Sequence, residues 1–192
     1  MKKAMRGKFI DVVYEDKDLL VANKPRGIIV ARDKDDKILR HSFSDDVRNY
    51  LMRKFQQSGG AFIKPLHRLD KETTGLVIFA KSKKGMELVE DIKEHRVKRI
   101  YTAIVEGRIE DEAGVIKYNL AKKDFGHGKK VGIAPEGRLT VTRYRVKERY
   151  ENVTVVEADL ETGFTHQIRV HFAAIGFPLI GDKVYKDRKS VV

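Results

Sequence analysis

The segment HRLDKETTGLVIFAK, residues 67–81, contains the side chain best suited to chemistry, the carboxylate of Asp70. Asp70 follows an arginine and precedes a polar turn that ends at Gly75. The apolar run after Gly75 predicts a short buried strand. Asp70 would then lie in a loop at the mouth of a sheet, where catalytic groups are often placed, and could act there as a nucleophile or a base. Taken alone, the local sequence favours a residue that only supports a turn.

Two later segments each contain one further chemically capable residue. Tyr101 lies in VKRIYTAIVEG, within a strand predicted over 97–105. Arg169 lies in TGFTHQIRVHFAAIG, near the start of the last predicted helix. Taken alone, Tyr101 would more often belong to a core, and Arg169 could be a solvated helix residue.

Several common kinds of site are excluded by the residues present. The chain has no cysteine, which rules out disulfides, thiol nucleophiles and thiolate metal sites. Its histidines are scattered, and no complete glycine pattern for a dinucleotide or a nucleotide phosphate occurs. We therefore expect no metal and no cofactor.

The composition predicts a globular protein with a polyanionic partner. The chain has 192 residues, of which 41% are apolar and 35% charged, a length that favours a single domain over residues 1–192. Forty Lys and Arg against 28 Asp and Glu leave a net charge of +12. Such a surface gains binding free energy by releasing counterions from nucleic acid, although it could also be simply a solvated lysine-rich surface. With no secretory signal and no apolar run near the ~18 residues of a membrane span, we expect a cytoplasmic protein. The sequence leaves the oligomeric state open, and a monomer is the default expectation.

The first half of the chain predicts short strands and two helices. A hairpin of strands 9–14 and 19–23 comes first, followed by a turn at 24–27 and a strand at 28–30. A helix then begins at Ser44, with Val47, Leu51 and Phe55 on its apolar face, and stops at 58–60. A strand at 76–81 follows, and then a helix capped by Ser82 with Met86, Val89 and Ile92 in the core.

The second half predicts longer strands. Strands at 97–105 and 114–120 come first, followed by a mobile basic loop at 121–138 and by strands at 139–149 and 152–161. The last element is a helix that is capped by Thr165 and ends at Gly176, with Ile168, Phe172 and Ile175 on its apolar face. Period-two alternation would place Arg143, Arg145, Lys147 and Arg149 on one face, either solvated or against phosphate. Locally paired strands with interspersed helices favour an α+β domain built on a mixed, mostly antiparallel sheet.

Four motifs together resemble the RluA-like family of pseudouridine synthases, which isomerise uridine to pseudouridine in structured RNA. They are HRLDKETTGLVIFAK at 67–81, the tyrosine strand ending in Val-x-Gly at 98–107, TGFTHQIRVHFA at 162–173 with GFPLIGDKVY at 176–185, and Lys-Pro-x-Gly at 24–27. They follow the family's order over roughly residues 9–186, so the resemblance implies the pseudouridine synthase fold.

The resemblance implies which residues form the catalytic site. Asp70 matches the family's catalytic carboxylate, which either attacks C1′ of the ribose or removes a sugar proton. Arg169 matches its basic partner, and Tyr101 matches the tyrosine that contacts the flipped uracil. The reaction breaks the N1–C1′ bond and rejoins the base through C5, so it needs no redox step and no cofactor.

The resemblance also implies that ribosomal or transfer RNA is the partner. Arg68 matches the arginine that enters the gap left by the flipped base, and His67, Thr165 and His166 are expected beside it in RNA binding, with His67 more suited to hydrogen bonding than to proton donation. The chain departs from the pattern at Thr74, which replaces serine, at Phe164, which replaces a basic residue, and at Phe177, which replaces histidine. We expect no S4-like N-terminal domain. The alternative function is a non-catalytic RNA-binding or ribosome-associated protein on the same fold.

Overall fold

The computed structural model describes residues 10–32, 41–56, 61–124 and 129–191. It confirms the α+β class, with two antiparallel sheets and three α-helices among these residues. The chain divides into two compact units, Met1–Glu94 and His95–Val192. Each unit has its own sheet, and the single catalytic domain stays a prediction. Within the described ranges, no helix has the length and apolar character needed to cross a membrane.

The first unit is built on a four-stranded sheet in the order β1-β2-β4-β3. Its strands are β1 (Asp11–Glu15), β2 (Leu19–Lys24), β3 (Lys64–Pro65) and β4 (Gly75–Ala80). The predicted hairpin and the predicted buried strand are therefore confirmed. Alternate residues of the two central strands are buried against helix α1 (Phe43–Lys54), and together they form the core of this unit.

Helix α1 begins earlier than predicted. Its cap is Ser42, whose N–H and hydroxyl both donate to the carboxylate of Asp45, at 3.0 and 2.8 Å. Ser44 is instead buried and donates to the carbonyl of Val30 at 2.7 Å. Phe55 was wrongly assigned to the apolar face, because it ends the helix and its side chain is largely exposed. The predicted stop at 58–60 lies outside the described residues.

Two further predictions for this unit need correction. The strand expected at 28–30 is only a single bridge between Ile29 and Ser42. Ser82 does not cap a helix directly: its hydroxyl accepts the N–H of Gly85 at 3.0 Å at the start of a 3₁₀ turn (Gly85–Glu87), and helix α2 (Leu88–Lys93) follows that turn. Of the expected core stripe on these turns, only Ile92 is fully buried.

The second unit is built on a five-stranded sheet in the order β5-β9-β8-β6-β7. Its strands are β5 (Ile100–Glu106), β6 (Ala113–Asp124), β7 (Lys129–Ile133), β8 (Arg138–Arg149) and β9 (Val153–Leu160). Helix α3 (Gln167–Ala174) packs against this sheet, with Phe172 edge-on to Tyr144 at a centroid separation of 5.6 Å. A 3₁₀ turn (Arg188–Ser190) follows near the end of the described chain.

The basic loop predicted at 121–138 is largely a hairpin. Strand β6 continues to Asp124 and pairs with β7, while residues 125–128 lie outside the described residues. The buried side chains of Leu120 and Val131 anchor this hairpin to the core of the unit. The prediction was wrong because these apolar residues are separated by lysines and glycines, so the segment reads as polar.

A β-bulge breaks the predicted alternation of basic residues on β8. The register shifts between Val146 and Glu148, and Arg149 then lies opposite Thr154. Val146 lies opposite Val156, two residues along β9 from Thr154, so Arg149 shares the face of Val146. Its guanidinium donates to the carbonyls of Ile109 and Glu110 at 2.8 and 3.1 Å.

The other three members of the predicted basic row face acidic residues of β9 and its extension. Arg143 forms an ion pair with Glu161, and Nζ of Lys147 lies 3.7 Å from the carboxylate of Glu157. Arg145 is opposite Glu157 in the register. Carboxylates would repel a phosphate, so this face is better explained as a charge-balanced solvated surface than as a site for nucleic acid.

Buried His171 predicts a loss of stability in mild acid. The side chain is completely buried, and burial lowers the pKa of His171 from 6.5 to about 4. The unfolded chain therefore takes up this proton more readily, and stability falls as the pH drops from 6.5 towards 4, by up to about 3 kcal/mol. Thermal melting across this range should show a steeper decline for the wild type than for His171→Leu. Parallel curves would contradict this prediction.

Candidate functional site

Asp70 lies on a short loop between β3 and β4 that several hydrogen bonds hold in place. The carbonyl of Asp70 accepts the N–H of Thr73 at 3.1 Å, which closes a turn directly after the carboxylate. On the other side, Nε2 of His67 accepts the N–H of Ile78 at 3.2 Å, which ties the loop to β4. Asp70 itself is half-buried, whereas Arg68 is exposed. The carboxylate is therefore presented by a loop that is fixed on both sides.

Lys24 supports this loop from below. Its side chain is completely buried, and Nζ donates to the carbonyls of Pro25, Ile28 and Lys71 at 2.9, 2.9 and 3.2 Å. The N–H of Gly27 donates to the same carbonyl of Lys71 at 2.8 Å, so the 24–27 turn is bound to the residue that follows Asp70. Burial lowers the pKa of Lys24, an effect that the carboxylates of Glu72 and Asp70 partly offset.

Removing this ammonium should loosen the loop. In Lys24→Met the three carbonyls lose their charged donor, and we expect a loss of about 2–4 kcal/mol in the free energy of unfolding. Chemical denaturation would measure it, with Lys83→Met as the control because Lys83 is an exposed lysine of the same unit. Equal stabilities of the two variants would show that Lys24 does not support the loop.

Arg169 projects from α3 and is gripped by Asp182. Its Nε and one terminal nitrogen donate to the two carboxylate oxygens of Asp182 at 2.6 and 2.9 Å. Its guanidinium carbon lies 5.0 Å from the ring centroid of Tyr185. Only 22% of the Arg169 side chain and 4% of that of Asp182 are exposed. Arg169 is thus a positioned guanidinium, and the solvated helix residue considered above is excluded.

Asp182 is kept ionised by its surroundings. Burial alone would raise the pKa of Asp182, but the hydrogen bonds from Arg169 and from the backbone N–H groups of Tyr185 and Val184 outweigh it and lower the pKa. The ionised carboxylate can therefore hold the guanidinium in a bidentate geometry over a wide pH range. The GDxxY motif at 181–185 thus contains the orienting group for Arg169.

The residue before α3 is His166, and not the expected Thr165, which is exposed and is not the cap. His166 has a φ of 58°, a conformation that few residues with a side chain adopt. Its Nδ1 lies 2.9 Å from the hydroxyl of Tyr185, which in turn accepts the N–H of Val131 at 3.1 Å. The Tyr185 proton is then available to Nδ1, which favours the imidazole proton on Nε2.

Gln167 and Thr162 fix the loop before α3 to strand β8. The side-chain amide of Gln167 donates to the carbonyl of Val141 and to the hydroxyl of Thr142, each at 3.0 Å. Thr162 donates to the Gln167 amide oxygen at 3.0 Å and accepts the N–H of Val141 at 2.9 Å. This network sets the start of α3 and therefore the position of Arg169 two residues later.

Tyr101 lies at the start of β5, opposite Ala158 of β9. It shares a strand face with the buried residues Ala103 and Val105, and it is itself half-buried. It is therefore at the edge of the core rather than inside it, where a phenol ring can serve both packing and contact with a ligand.

The structure accounts for the two phenylalanines that depart from the family pattern. Phe164 packs against the cluster that contains Leu120, Val131 and Tyr185. Phe177 packs against the core on the other side of α3, close to Gly107. Both residues contribute apolar packing at these positions.

The candidate site residues are thus distributed over both units. His67, Arg68 and Asp70 share one loop of the first unit, while Thr165, His166 and Arg169 surround the start of α3 in the second, which also contains Tyr101. Sequence reasoning assigned no role to Lys24, Asp182 or Tyr185, although each lies in a motif that it singled out. The meeting of Asp70, Arg169 and Tyr101 in one site stays a prediction.

Comparison with known proteins identifies the family. A family model described as RNA pseudouridylate synthase matches residues 18–174. The uncharacterized RNA pseudouridine synthase YlyB of Bacillus subtilis is 38% identical over 187 residues, which cover 95% of this chain and 59% of that protein. Ribosomal large subunit pseudouridine synthase D of Pseudomonas aeruginosa is 38% identical over 185 residues, covering 93% of this chain and 54% of that protein. The chain thus spans little more than half the length of these relatives.

Solved structures show the same fold. Human RNA Pseudouridylate Synthase Domain Containing 4 superposes with a TM-score of 0.75 at 27% identity, covering 92% of this chain and 69% of that chain. Human RNA Pseudouridylate Synthase Domain Containing 1 has the same TM-score of 0.75 at 24% identity, covering 98% of this chain and 74% of that chain. With the motifs and the two fixed loops described above, these matches show that the chain belongs to the RluA-like family of RNA pseudouridine synthases.

Proposed function

We propose that this protein is an RNA pseudouridine synthase that isomerises specific uridines in structured RNA, with Asp70 acting on the ribose of a flipped-out uridine. The observation that carries the proposal is the Asp70 loop, fixed by His67, by Thr73 and by the buried ammonium of Lys24. A catalytic carboxylate must be held near one geometry to be effective, and a loop that served only as a turn would not need a buried charge beneath it.

The proposed roles of the other residues follow from the reaction. Arg169, which Asp182 holds through two hydrogen bonds, is the proposed basic partner of the Asp70 carboxylate in the reaction. Tyr101 contacts the flipped uracil, because stacking on an aromatic ring returns about 1–3 kcal/mol of the few kcal/mol that flipping costs. Arg68, exposed on the Asp70 loop, fills the gap that the base leaves.

The proposed substrate is ribosomal or transfer RNA in the cytoplasm. The net charge of +12 favours a polyanion, and a relative that is 38% identical is named as a ribosomal large subunit enzyme. In the β6–β7 hairpin Lys123 lies opposite Lys130 in the register, which adds positive charge to this part of the second unit.

Release of tritium from RNA that contains 5-tritiated uridine tests this proposal. Joining the base to the ribose through C5 must free the hydrogen on that carbon. We therefore expect release of tritium when ribosomal RNA and transfer RNA are both offered as substrates. Absence of release, with RNA binding intact, would overturn the proposal in favour of the non-catalytic RNA-binding protein. Free uracil among the products would instead identify a nucleoside hydrolase.

A further inference from the structure

Arg99 is a half-buried cation whose described partners are all neutral. One terminal nitrogen lies 2.6 Å from Nδ1 of His95 and 3.5 Å from the carbonyl of Leu160. Its Nε is buried and has no hydrogen-bond partner in the described part of the chain. Among those residues no carboxylate pairs with Arg99, in contrast to Arg143 and Arg169, which each face an acid. Burying a guanidinium without an anion costs free energy, so its retention requires an explanation.

The neighbours of Arg99 add positive charge instead of removing it. Burial, followed by the charges of Arg99 and Arg138, lowers the pKa of His95. Because Nδ1 of His95 receives the Arg99 donor, its proton is on Nε2, which is then available to a further acceptor. His95 also has a φ of 58°, an uncommon conformation for a residue with a side chain. The three side chains form a cluster of donors without an anion.

Gly163 keeps space for this guanidinium. A Cβ built on Gly163 would lie 2.5 Å from Nη1 of Arg99, so any other residue would displace the guanidinium. The glycine belongs to the TGFTHQIR segment, which leads into α3 and towards Arg169. In that segment the family's usual basic residue is replaced by Phe164, which packs against an apolar cluster of the second unit. Arg99 thus brings a positive charge to a loop that has lost one.

We propose that Arg99, with His95 and Arg138, binds a backbone phosphate of the RNA next to the segment that carries Arg169. The terminal nitrogens of Arg99 and the Nε2–H of His95 supply the donors for this phosphate, whereas the buried Nε of Arg99 has no exposed surface. The inference rests on the proposed function for the identity of the anion. It adds a contact that fixes the RNA backbone and makes no contribution to base recognition.

The salt dependence of RNA binding tests this site. Arg99→Gln should weaken binding about ten-fold at low salt and reduce the slope of log K against log salt concentration by about 0.7–1, the value for one lost phosphate contact. Arg138→Gln, which removes an exposed member of the same cluster, should reduce the affinity in the same direction. Arg143→Gln is the matched control, because Arg143 is exposed and balanced by Glu161, and it should leave the slope unchanged.

The outcomes separate this inference from the proposed function. A reduced slope without any tritium release from the wild type would support the phosphate site and overturn the catalytic proposal. An unchanged slope in Arg99→Gln, with wild-type tritium release intact, would overturn the phosphate site alone. If Arg99→Gln does not fold, the salt dependence of RNA binding by Arg138→Gln tests the phosphate site instead. A slope equal to that of Arg143→Gln would then overturn the inference.

Discussion

Replacing Asp70 by Asn is expected to lower kcat for pseudouridine formation at least about 10⁴-fold, while the Kd for RNA stays within about three-fold of the wild type. The amide has the shape of the carboxylate but lacks its charge and its nucleophilic oxygen. The loop should survive, because its turn uses the carbonyl of Asp70 and not the side chain. The rate of conversion, measured under single-turnover conditions, and the Kd for RNA, measured on the same preparation, test this prediction.

The matched control for this change is Glu72→Gln. Glu72 is an acid of the same loop, and it forms an ion pair with Arg26 in which both side chains are largely exposed. Such a surface pair contributes little, so activity should stay within about two-fold of the wild type. If Asp70→Asn lost RNA binding and activity together, Asp70 would be a structural residue, and retained activity would exclude it from the chemistry.

The second large effect is expected from Arg169→Lys, which keeps the positive charge but removes the planar fork that grips Asp182. A lysine has a single ammonium group in place of the planar guanidinium, so it cannot reproduce the pair of contacts at 2.6 and 2.9 Å. We expect kcat to fall about 10²- to 10³-fold, with a smaller change in KM, because the positive charge at position 169, which the proposed reaction uses, is no longer held in one geometry.

Asp182→Asn should reproduce this loss, since it removes the orienting carboxylate and leaves Arg169 intact. Kinetics of both variants, with Arg143→Lys as the control because Arg143 is exposed and paired with Glu161, would separate the effect of orientation from that of charge. Wild-type kcat in Arg169→Lys would contradict the role of the fork. A loss in Arg169→Lys without a loss in Asp182→Asn would show that the orientation of Arg169 has another source.

Local pattern was sufficient for the parts of the fold that local forces determine. The first hairpin, the strand after Gly75 and the two long strands β8 and β9 are all found close to their predicted positions. In each case a run of apolar or alternating residues lies between clear turn signals, and β1 with β2 and β8 with β9 are pairings between neighbours along the chain. The composition of such segments leaves few alternatives to a strand.

Long-range contacts explain the errors. Ser42 and Ser44 both suit a helix start, and the choice between them depends on the carbonyl of Val30, to which Ser44 binds. The β6–β7 hairpin was missed because its stability comes from packing of Leu120 and Val131 and not from its polar local sequence. The face reversal at Arg149 depends on a bulge, which no periodic pattern reveals.

The candidate site likewise contains residues that the local sequence predicted and residues that only the folded structure reveals. The motif singled out Asp70 and the position of Arg169, because residue type and order carry that information. The supports of these residues could not be derived, since Lys24 acts on a carbonyl 47 residues away and Asp182 becomes an orienting group only through the packing of the segment after α3. The sequence was thus enough to propose Asp70 as the reacting group, but it was not enough to predict the contacts that hold its loop.

The central prediction is that Asp70 and Arg169 share one site. Cysteine cross-linking tests it directly, because the rate of cross-linking depends on the distance between the two positions. The chain has no cysteine, so Asp70→Cys/Arg169→Cys introduces a unique pair of thiols. A short bis-maleimide should join them within one chain much faster than it joins the pair of Asp70→Cys/Arg143→Cys. Equal rates for the two pairs would place the carboxylate and the guanidinium apart and would contradict the shared site.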